Sequence, residues 1–311
     1  MITTIKRSLR KVRQKTGNAS AGQITLKVFR KGWLWVLFRF PPRNRMGDKF
    51  VAYVLFLMAH RRLPSRHIRF NDVLFRLKTS DTIMNPLRTF VADKEFVKLY
   101  VRALVGDAYN VPTLAVLRSA GEIDAAEFPP QCCIKPTHAS GVAIIRKNNE
   151  GVDRDRIKRW LSWNYYKTDR AVEYKYLEPK VIVEPLVFGN ANVEDYKIFC
   201  YHGAPRLIQV DIDRYIAHTR RFFDAKWNDL DFSILYPRSQ VTVDRPRNLD
   251  EMLSVAARLS EPFSFIRVDL YSDGKTIYVG EITNCSEGAN GTFIPASAED
   301  SISELVFGLK P

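Results

Sequence analysis

Two carboxylates sit among apolar, strand-like neighbours near the end of the chain. Asp269 lies in Phe265-Ile266-Arg267-Val268-Asp269-Leu270-Tyr271 and Glu281 in Thr276-Ile277-Tyr278-Val279-Gly280-Glu281-Ile282-Thr283-Asn284, with a Ser-Asp-Gly-Lys turn between the runs. The pattern reads as a β-hairpin. Carboxylates are depleted in strands and costly to bury, so both acids need cationic partners. A divalent metal is one such partner; oxygen ligands favour magnesium, with its remaining positions left to waters and a nucleotide's phosphates. The other reading puts the acids on a solvated face or pairs them with Arg267.

Three upstream segments bear on that choice. Cys132-Cys133-Ile134-Lys135 reads as a short buried strand ending in a lysine, followed by Pro136-Thr137-His138-Ala139-Ser140-Gly141 and a second strand, Val142-Ala143-Ile144-Ile145-Arg146. Small and polar residues between strands can form a flap whose N–H groups face phosphate oxygens, while Lys135 adds a point charge. An ordinary hairpin is the alternative, and the absence of Gly-Lys-Ser/Thr from this segment excludes a Walker loop there. Val181-Ile182-Val183-Glu184-Pro185-Leu186-Val187 reads as a buried strand that Pro185 stops from pairing regularly beyond Glu184. Unpaired backbone beside apolar side chains suits an adenine ring. Asp93 reads as the N-cap of a helix with Val97, Tyr100, Val101, Leu104 and Val105 on one face and Gly106 at its end. Lys94 then opposes the helix dipole unless an anion is near; otherwise it is a solvated surface lysine.

A fourth segment concentrates charge. Asp211, Asp213, Arg214, His218, Arg220, Arg221 and Asp224 fall within fourteen residues, beside Tyr215, Phe222 and Phe223. Arginines suit bidentate binding of carboxylate or phosphoryl oxygens, and several could spread the charge of an acyl phosphate. A charged hairpin with cross-strand Asp/Arg pairs is the competing reading. Arg214, Arg221, Arg267 and His218 are the catalytic candidates; Asp213 and Arg220 are assigned to the second substrate.

Taken in this order, the segments resemble the ATP-grasp fold and, more closely, its TupA-like branch, named for teichuronopeptide biosynthesis. Asp93-Lys94 to Val101, Ile134 to Gly141, Asp195-Tyr196-Lys197-Ile198-Phe199-Cys200, Gln209 to Arg214, His218 to Asp224, Arg267 to Tyr271 and Gly280-Glu281 carry the resemblance, which covers about residues 50 to 311. It implies an α+β fold of two lobes gripping ATP, with ATP and Mg2+ as cofactors. Lys94 and Lys135 would contact the phosphates under a flap containing His138, Ser140 and Gly141. Glu184, Leu186 and Val187 would hold the adenine, Lys197 would lie near the nucleotide, and Asp269 and Glu281 would bind magnesium. Many ATP-grasp members carry an Asn two residues after that Glu, where this chain has Thr283 and then Asn284. Three residues on is the opposite face of a regular strand, so Asn284 is a metal ligand only if the strand bends.

The implied activity is ATP-dependent carboxylate–amine ligation through an acyl phosphate, with a uronic acid of a capsular or exopolysaccharide as acceptor and an amino acid or amine as donor. A glycan kinase or transferase and a non-catalytic polyanion- or membrane-binding protein stay open as alternatives.

These residues need a sizeable scaffold, and 311 residues at 46% hydrophobic can supply one. The expected divisions are a basic arm over 1–50, a helical pre-domain over 51–92, a lid lobe over 93–187 and a C-terminal lobe with the magnesium site over 188–311. Helices are expected at Asp153 to Trp163 and Leu249 to Leu259, the latter with an Asn248/Glu251 capping box. Asn71-Asp72 is expected to cap a helix from Val73 to Leu77, and the tail after Cys285 to loop over the site. Cys132, Cys133, Cys200 and Cys285 lack metal-ligand spacing and read as free thiols. Residues 1 to 50 hold thirteen Lys or Arg and one Asp, a net of +12 that leaves +2 of the chain's +14 for the rest. The arm favours an anionic membrane or an acidic polymer over nucleic acid. Neither a secretory signal nor a transmembrane span is evident, which suggests a cytoplasmic enzyme, with the inner face of the cell membrane open to it through the arm.

Overall fold

The computed structural model describes residues 36–189, 193–213 and 217–308. The arm up to residue 35, Arg214 and the last three residues lie outside them. Asn44 opens α1 (Arg45–His60) by accepting the Gly47 N–H at 3.0 Å, so the helix starts ahead of the expected boundary at residue 51. α2 (Phe70–Thr79) also starts early, and Asn71 and Asp72 do not cap it. Asn71 instead donates to the Gly291 carbonyl, and Asp72 accepts from Ser65 N–H and Arg62. Those long-range bonds override the local capping preference. α3 (Pro86–Ala92) leads to α4 (Phe96–Leu104), whose first turn is satisfied by Asp93: its Oδ1 accepts from the N–H groups of Glu95 at 2.8 Å and Phe96 at 3.2 Å.

The lid lobe is a four-stranded antiparallel sheet in the order β1-β4-β2-β3, from β1 (Ala115–Leu117), β2 (Cys132–Pro136), β3 (Ile144–Arg146) and β4 (Val181–Glu184). β3 is shorter than the expected strand because the chain turns through Gly141, at φ +76°, and rejoins the ladder only at Ile144. α5 (Ala120–Ala125), α6 (Arg154–Leu161) and α7 (Tyr165–Asp169) complete the lobe. Asp153 caps α6 by accepting the Arg156 N–H, and Ile157 and Trp160 pack on Cys132, Ile134, Val181 and Val183.

The C-terminal lobe is a six-stranded antiparallel sheet in the order β11-β10-β5-β6-β7-β8: β5 (Asp195–Tyr201), β6 (Ala204–Ile212), β7 (Thr219–Asp224), β8 (Asp229–Leu230), β10 (Phe265–Ser272) and β11 (Ile277–Thr283). A small ladder joins β9 (Ser233–Ile234) to β12 (Phe293–Ile294). The two-residue side-chain period explains how strands so rich in charge can be buried. Tyr196, Ile198, Cys200, Ile208, Val210, Ile266, Val268 and Leu270 take one face and pack on α8 (Leu249–Ser260) and α4. The alternate residues take the other face, which is apolar at one end, through Phe199, Leu207 and Phe265, and charged at the other. α2 and α9 (Ala298–Phe307) cover the apolar end, with Phe70 edge-on to Phe199, Phe265 and Phe293. Each such buried phenyl contributes roughly 1.5–3 kcal/mol.

Two local expectations differ. Asn248 makes no capping bond to α8; it accepts from Ser272 Oγ at 2.8 Å, while Glu251 accepts from Tyr109, so tertiary partners replace the box. The tail after Cys285 is more regular than the expected loop: a 3-10 turn borders the charged face, with Ser286 accepting from Arg267 and Glu287 from Arg220, and β12 and α9 close the apolar end. All four cysteines are free thiols.

Candidate functional site

The charged end of the large sheet forms one wall of a cavity of about 600 Å³, and β2, β4 and the Ser140–Gly141 turn form the other. Register sets the first wall. One row across the sheet runs Glu281, Asp269, Lys197, Gln209, and the next runs Tyr271, Asp195, Asp211, Arg220. Arg267 grips Asp269 bidentately, at 2.6 Å to Oδ1 and 2.7 Å to Oδ2, and also donates to Thr283 and Ser286. Lys197 bonds Asp195 and lies 3.4 Å from Asp211 and 3.7 Å from Asp269. Burial works against the Lys197 charge, but Asp195, Asp269 and Asp211 hold its ammonium above the ordinary lysine value. Burial pushes the Asp269 carboxyl up in spite of Arg267 and Lys197.

On the facing wall, Lys135 and Lys98 clasp the Glu184 carboxylate, each at 2.6 Å. Burial alone would raise Glu184, but the two ammonium groups bring it below its ordinary value. Lys135 is held high by Glu184 against the pull of burial. Lys94 differs: burial lowers it, with Glu281 opposing from 3.8 Å, and it donates to the Ala139 carbonyl at 2.6 Å. Lys94 thus bridges the flap and the carboxylate wall.

The cavity gathers Lys94, Lys135, Ser140, Gly141, Glu184, Leu186, Val187, Lys197, Asp213, Arg267, Asp269 and Glu281 from segments far apart in sequence. It does not gather five other candidates. His138 is buried away from it: Nδ1 accepts the Lys180 N–H, so Nε2 carries the proton and donates to the Trp163 carbonyl at 3.0 Å. Burial lowers its pKa, leaving a neutral clamp for the flap base. Asn284 lies on the opposite side of β11 from Glu281, its amide exchanging bonds with Arg88 at 3.1 and 2.9 Å. Arg221 is committed to Asp229 and the Val241 carbonyl. Arg220 reaches Asp211 at 3.0 Å and Glu287 at 2.8 Å, the cross-strand pairing that the sequence left open. His218 stands 3.2 Å from Asp211 and packs on Tyr236. Arg214 falls outside the described residues.

A family model described as TupA-like ATPgrasp matches residues 73–306. The chain belongs to this family. No curated protein matches it. Among solved structures, the TupA-like chain is similar to D-alanine–D-alanine ligase from Helicobacter pylori, with TM-score 0.38 and 16% identity over 70% of this chain and 60% of that one. It is also similar to L-amino acid ligase from Bacillus licheniformis, with TM-score 0.41 and 11% identity over 84% of this chain and 58% of that one. The ATP-grasp ligase PsnB matches with TM-score 0.34 and 12% identity, over 63% of this chain and 52% of that one. The chain therefore spans between 52% and 60% of the length of these ligases.

In this TupA-like site, the paired carboxylates of β10 and β11 suit magnesium. Asp269 and Glu281 stand opposite each other in the ladder and offer only hard oxygen donors. Among the described residues no three His, Cys, Asp or Glu side chains converge as a ligand set. Two carboxylates with waters and phosphate oxygens are how that ion is commonly held.

The cavity residues left without a site role by sequence reasoning include Cys133, Arg156, Asp195 and Tyr271. Tyr271 had a signal in Gly280. The β10–β11 register shifts after Asp269, so Glu281 faces Asp269, Val279 faces Leu270 and Gly280 bulges out. A Cβ on Gly280 would stand 2.6 Å from Tyr271 Cε2. Gly280→Ala should therefore displace that ring, lower stability by about 1–3 kcal/mol and weaken nucleotide binding. Thermal unfolding with a nucleotide titration checks this; an unchanged midpoint and affinity would mean the ring yields at no cost.

Proposed function

We propose that the chain is an ATP-dependent carboxylate–amine ligase acting through an acyl phosphate, and that it joins an amino acid or other amine to a uronic acid of a bacterial surface polysaccharide. The observation that carries this reading is the opposition of Lys94 and Lys135 to Asp269 and Glu281 across one cavity. The lysines supply point charges for the phosphates, while Leu186 and Val187, beyond the strand-breaking Pro185, give an apolar wall for the adenine. Bound magnesium would be held by Asp269 and Glu281 and would neutralise phosphate charge. Arg267, locked in orientation by Asp269, is aimed to stabilise oxygens that gain charge during transfer. The substrate carboxylate oxygen bonds to the γ-phosphorus as ADP leaves; the amine nitrogen then bonds to the acyl carbon as phosphate leaves. Positioning and charge neutralisation supply the rate, with no protein nucleophile.

The acceptor and the amine follow from the family's association with teichuronopeptide. The basic N-terminal region is the segment proposed to contact acidic glycan or anionic membrane, and the cytoplasm, where ATP is available, is the proposed location. Among the described residues no helix is long and apolar enough to cross a membrane.

The test is nucleotide release from MgATP with uronic-acid oligosaccharides, with and without an amine pool, followed by mass spectrometry of the glycan. The ligase should release ADP and phosphate and add an amide mass only when acid and amine are both present. A phosphorylated glycan formed without amine would replace this reading with a kinase.

A further inference from the structure

Helix α1 has an apolar stripe on the wrong side. Its inner face buries Val51, Ala52 and Phe56 at no more than 4% exposure, as a helix packed on a core should. Its outer face carries Met46 at 80%, Phe50 at 55%, Tyr53 at 47% and Leu57 at 45% exposure. The spacing of four, three and four residues sets these side chains above one another along a single line. Phe40, at 69%, and Leu63, at 66%, extend the apolar surface beyond both ends of the helix. An ordinary solvated helix face is polar, and this one is not.

The stripe is rigidly displayed. Asp48, the single acid of α1, is buried on the inner face, where Arg170 pairs with it at 2.9 Å and the Tyr166 hydroxyl donates to it at 2.7 Å. These bonds anchor the helix to α7. The exposed charges around the stripe are mainly positive: Arg39, Arg43, Lys49, Arg61 and Arg66 are all exposed, against the exposed acid Asp81, 3.8 Å from Arg45. Upstream, the first 35 residues add nine Lys or Arg and no Asp or Glu.

We infer that α1 is a membrane-docking surface that lies in the headgroup boundary of an anionic bilayer, with Met46, Phe50, Tyr53 and Leu57 directed into the acyl region and the flanking cations on lipid phosphates. Charge complementarity selects an anionic partner, and the aliphatic and aromatic stripe selects one with a dry phase, which a hydrated acidic polysaccharide lacks. At 16 residues, α1 is shorter than the roughly 20 needed to span a bilayer, so it lies along the surface. This contact is independent of the ligase chemistry and goes beyond attraction of the basic arm alone.

The test uses the full chain in co-sedimentation with phosphatidylcholine vesicles and with mixed phosphatidylcholine–phosphatidylglycerol vesicles. The parent should bind the mixed vesicles and leave the neutral ones. Phe50→Glu with Leu57→Glu should lower partitioning by about tenfold or more at an unchanged unfolding midpoint, because both side chains are solvent-exposed before docking. Phe50→Leu with Leu57→Ile should keep it. Equal vesicle binding by the Glu variant would overturn the inference and leave the arm as the sole contact. Capture by polygalacturonate with no vesicle binding would overturn it in favour of a glycan surface. A dimer that the Glu variant splits, with no vesicle binding by the parent, would overturn it in favour of a second copy of the chain.

Discussion

Glu281→Gln should abolish ATP-dependent turnover, lowering kcat by about three orders of magnitude or more, which is a loss of about 4 kcal/mol of transition-state stabilisation. The change is isosteric and removes one charge from the wall that faces Lys94 and Lys135. Glu281 is held more loosely than Asp269, by Lys94 at 3.8 Å and the Thr283 hydroxyl at 3.2 Å, so its substitution should cost less stability than that of Asp269 and the fold should persist. Asp269→Asn should cost activity and stability together. Arg267 and Lys197 both face that carboxylate, and removing one member of a buried ion cluster typically costs about 3–5 kcal/mol. Comparing the two variants separates the metal role from the structural one. Steady-state turnover, nucleotide affinity with and without magnesium, and chemical unfolding make the measurement. If Glu281→Gln turned over within about threefold of the parent, the cross-strand carboxylate pair would not be the metal site.

The carboxylates were legible because strands seldom carry acids among apolar neighbours, and the same holds for Lys135 at the end of β2 and Glu184 at the end of β4. What the sequence withheld was partnership. Lys98 looks like a surface residue on α4, yet it completes the clasp on Glu184 because α4 and β4 meet only in three dimensions. Asp269 needed a cation, and Arg267, two residues away on the same strand face, supplies one without excluding another. The charged stretch alone assigns Arg221 to catalysis and Arg220 to the second substrate. Alternation along β7 separates them, directing Arg220 to Asp211 and Arg221 to Asp229. The same parity turns Asn284 to Arg88, on the side of β11 opposite Glu281. The family resemblance alone places His138 in the phosphate flap. Its two ring bonds are to backbone groups 25 and 42 residues away, which no local pattern records. The two-lobe arrangement is implied by the family resemblance, whereas helix caps fail where a distant partner outbids the local one, as at Asn71 and Asn248.

Glu184→Gln should destabilise the empty protein by about 3–5 kcal/mol, because it leaves Lys98 and Lys135 close together, buried and without their shared counterion. Lys98→Met in that background should recover part of the loss by removing one of the repelling charges, a non-additivity expected of residues in direct contact. The informative measurement is the response to nucleotide. If Lys135 faces the phosphates, a bound polyphosphate supplies the negative charge that the substituted amide no longer provides, and part of the penalty disappears on binding. ADP should then raise the unfolding midpoint of Glu184→Gln by more than that of the parent at equal saturation, since a ligand stabilises in proportion to its preference for the folded state. In the parent, Glu184 would then compete with phosphate for the same ammonium, and the clasp would tune affinity downward while keeping Lys135 charged. Equal shifts in both proteins would mean that the phosphates do not reach Lys135, and the nucleotide would then have to lie toward Lys94 and the Ser140–Gly141 turn.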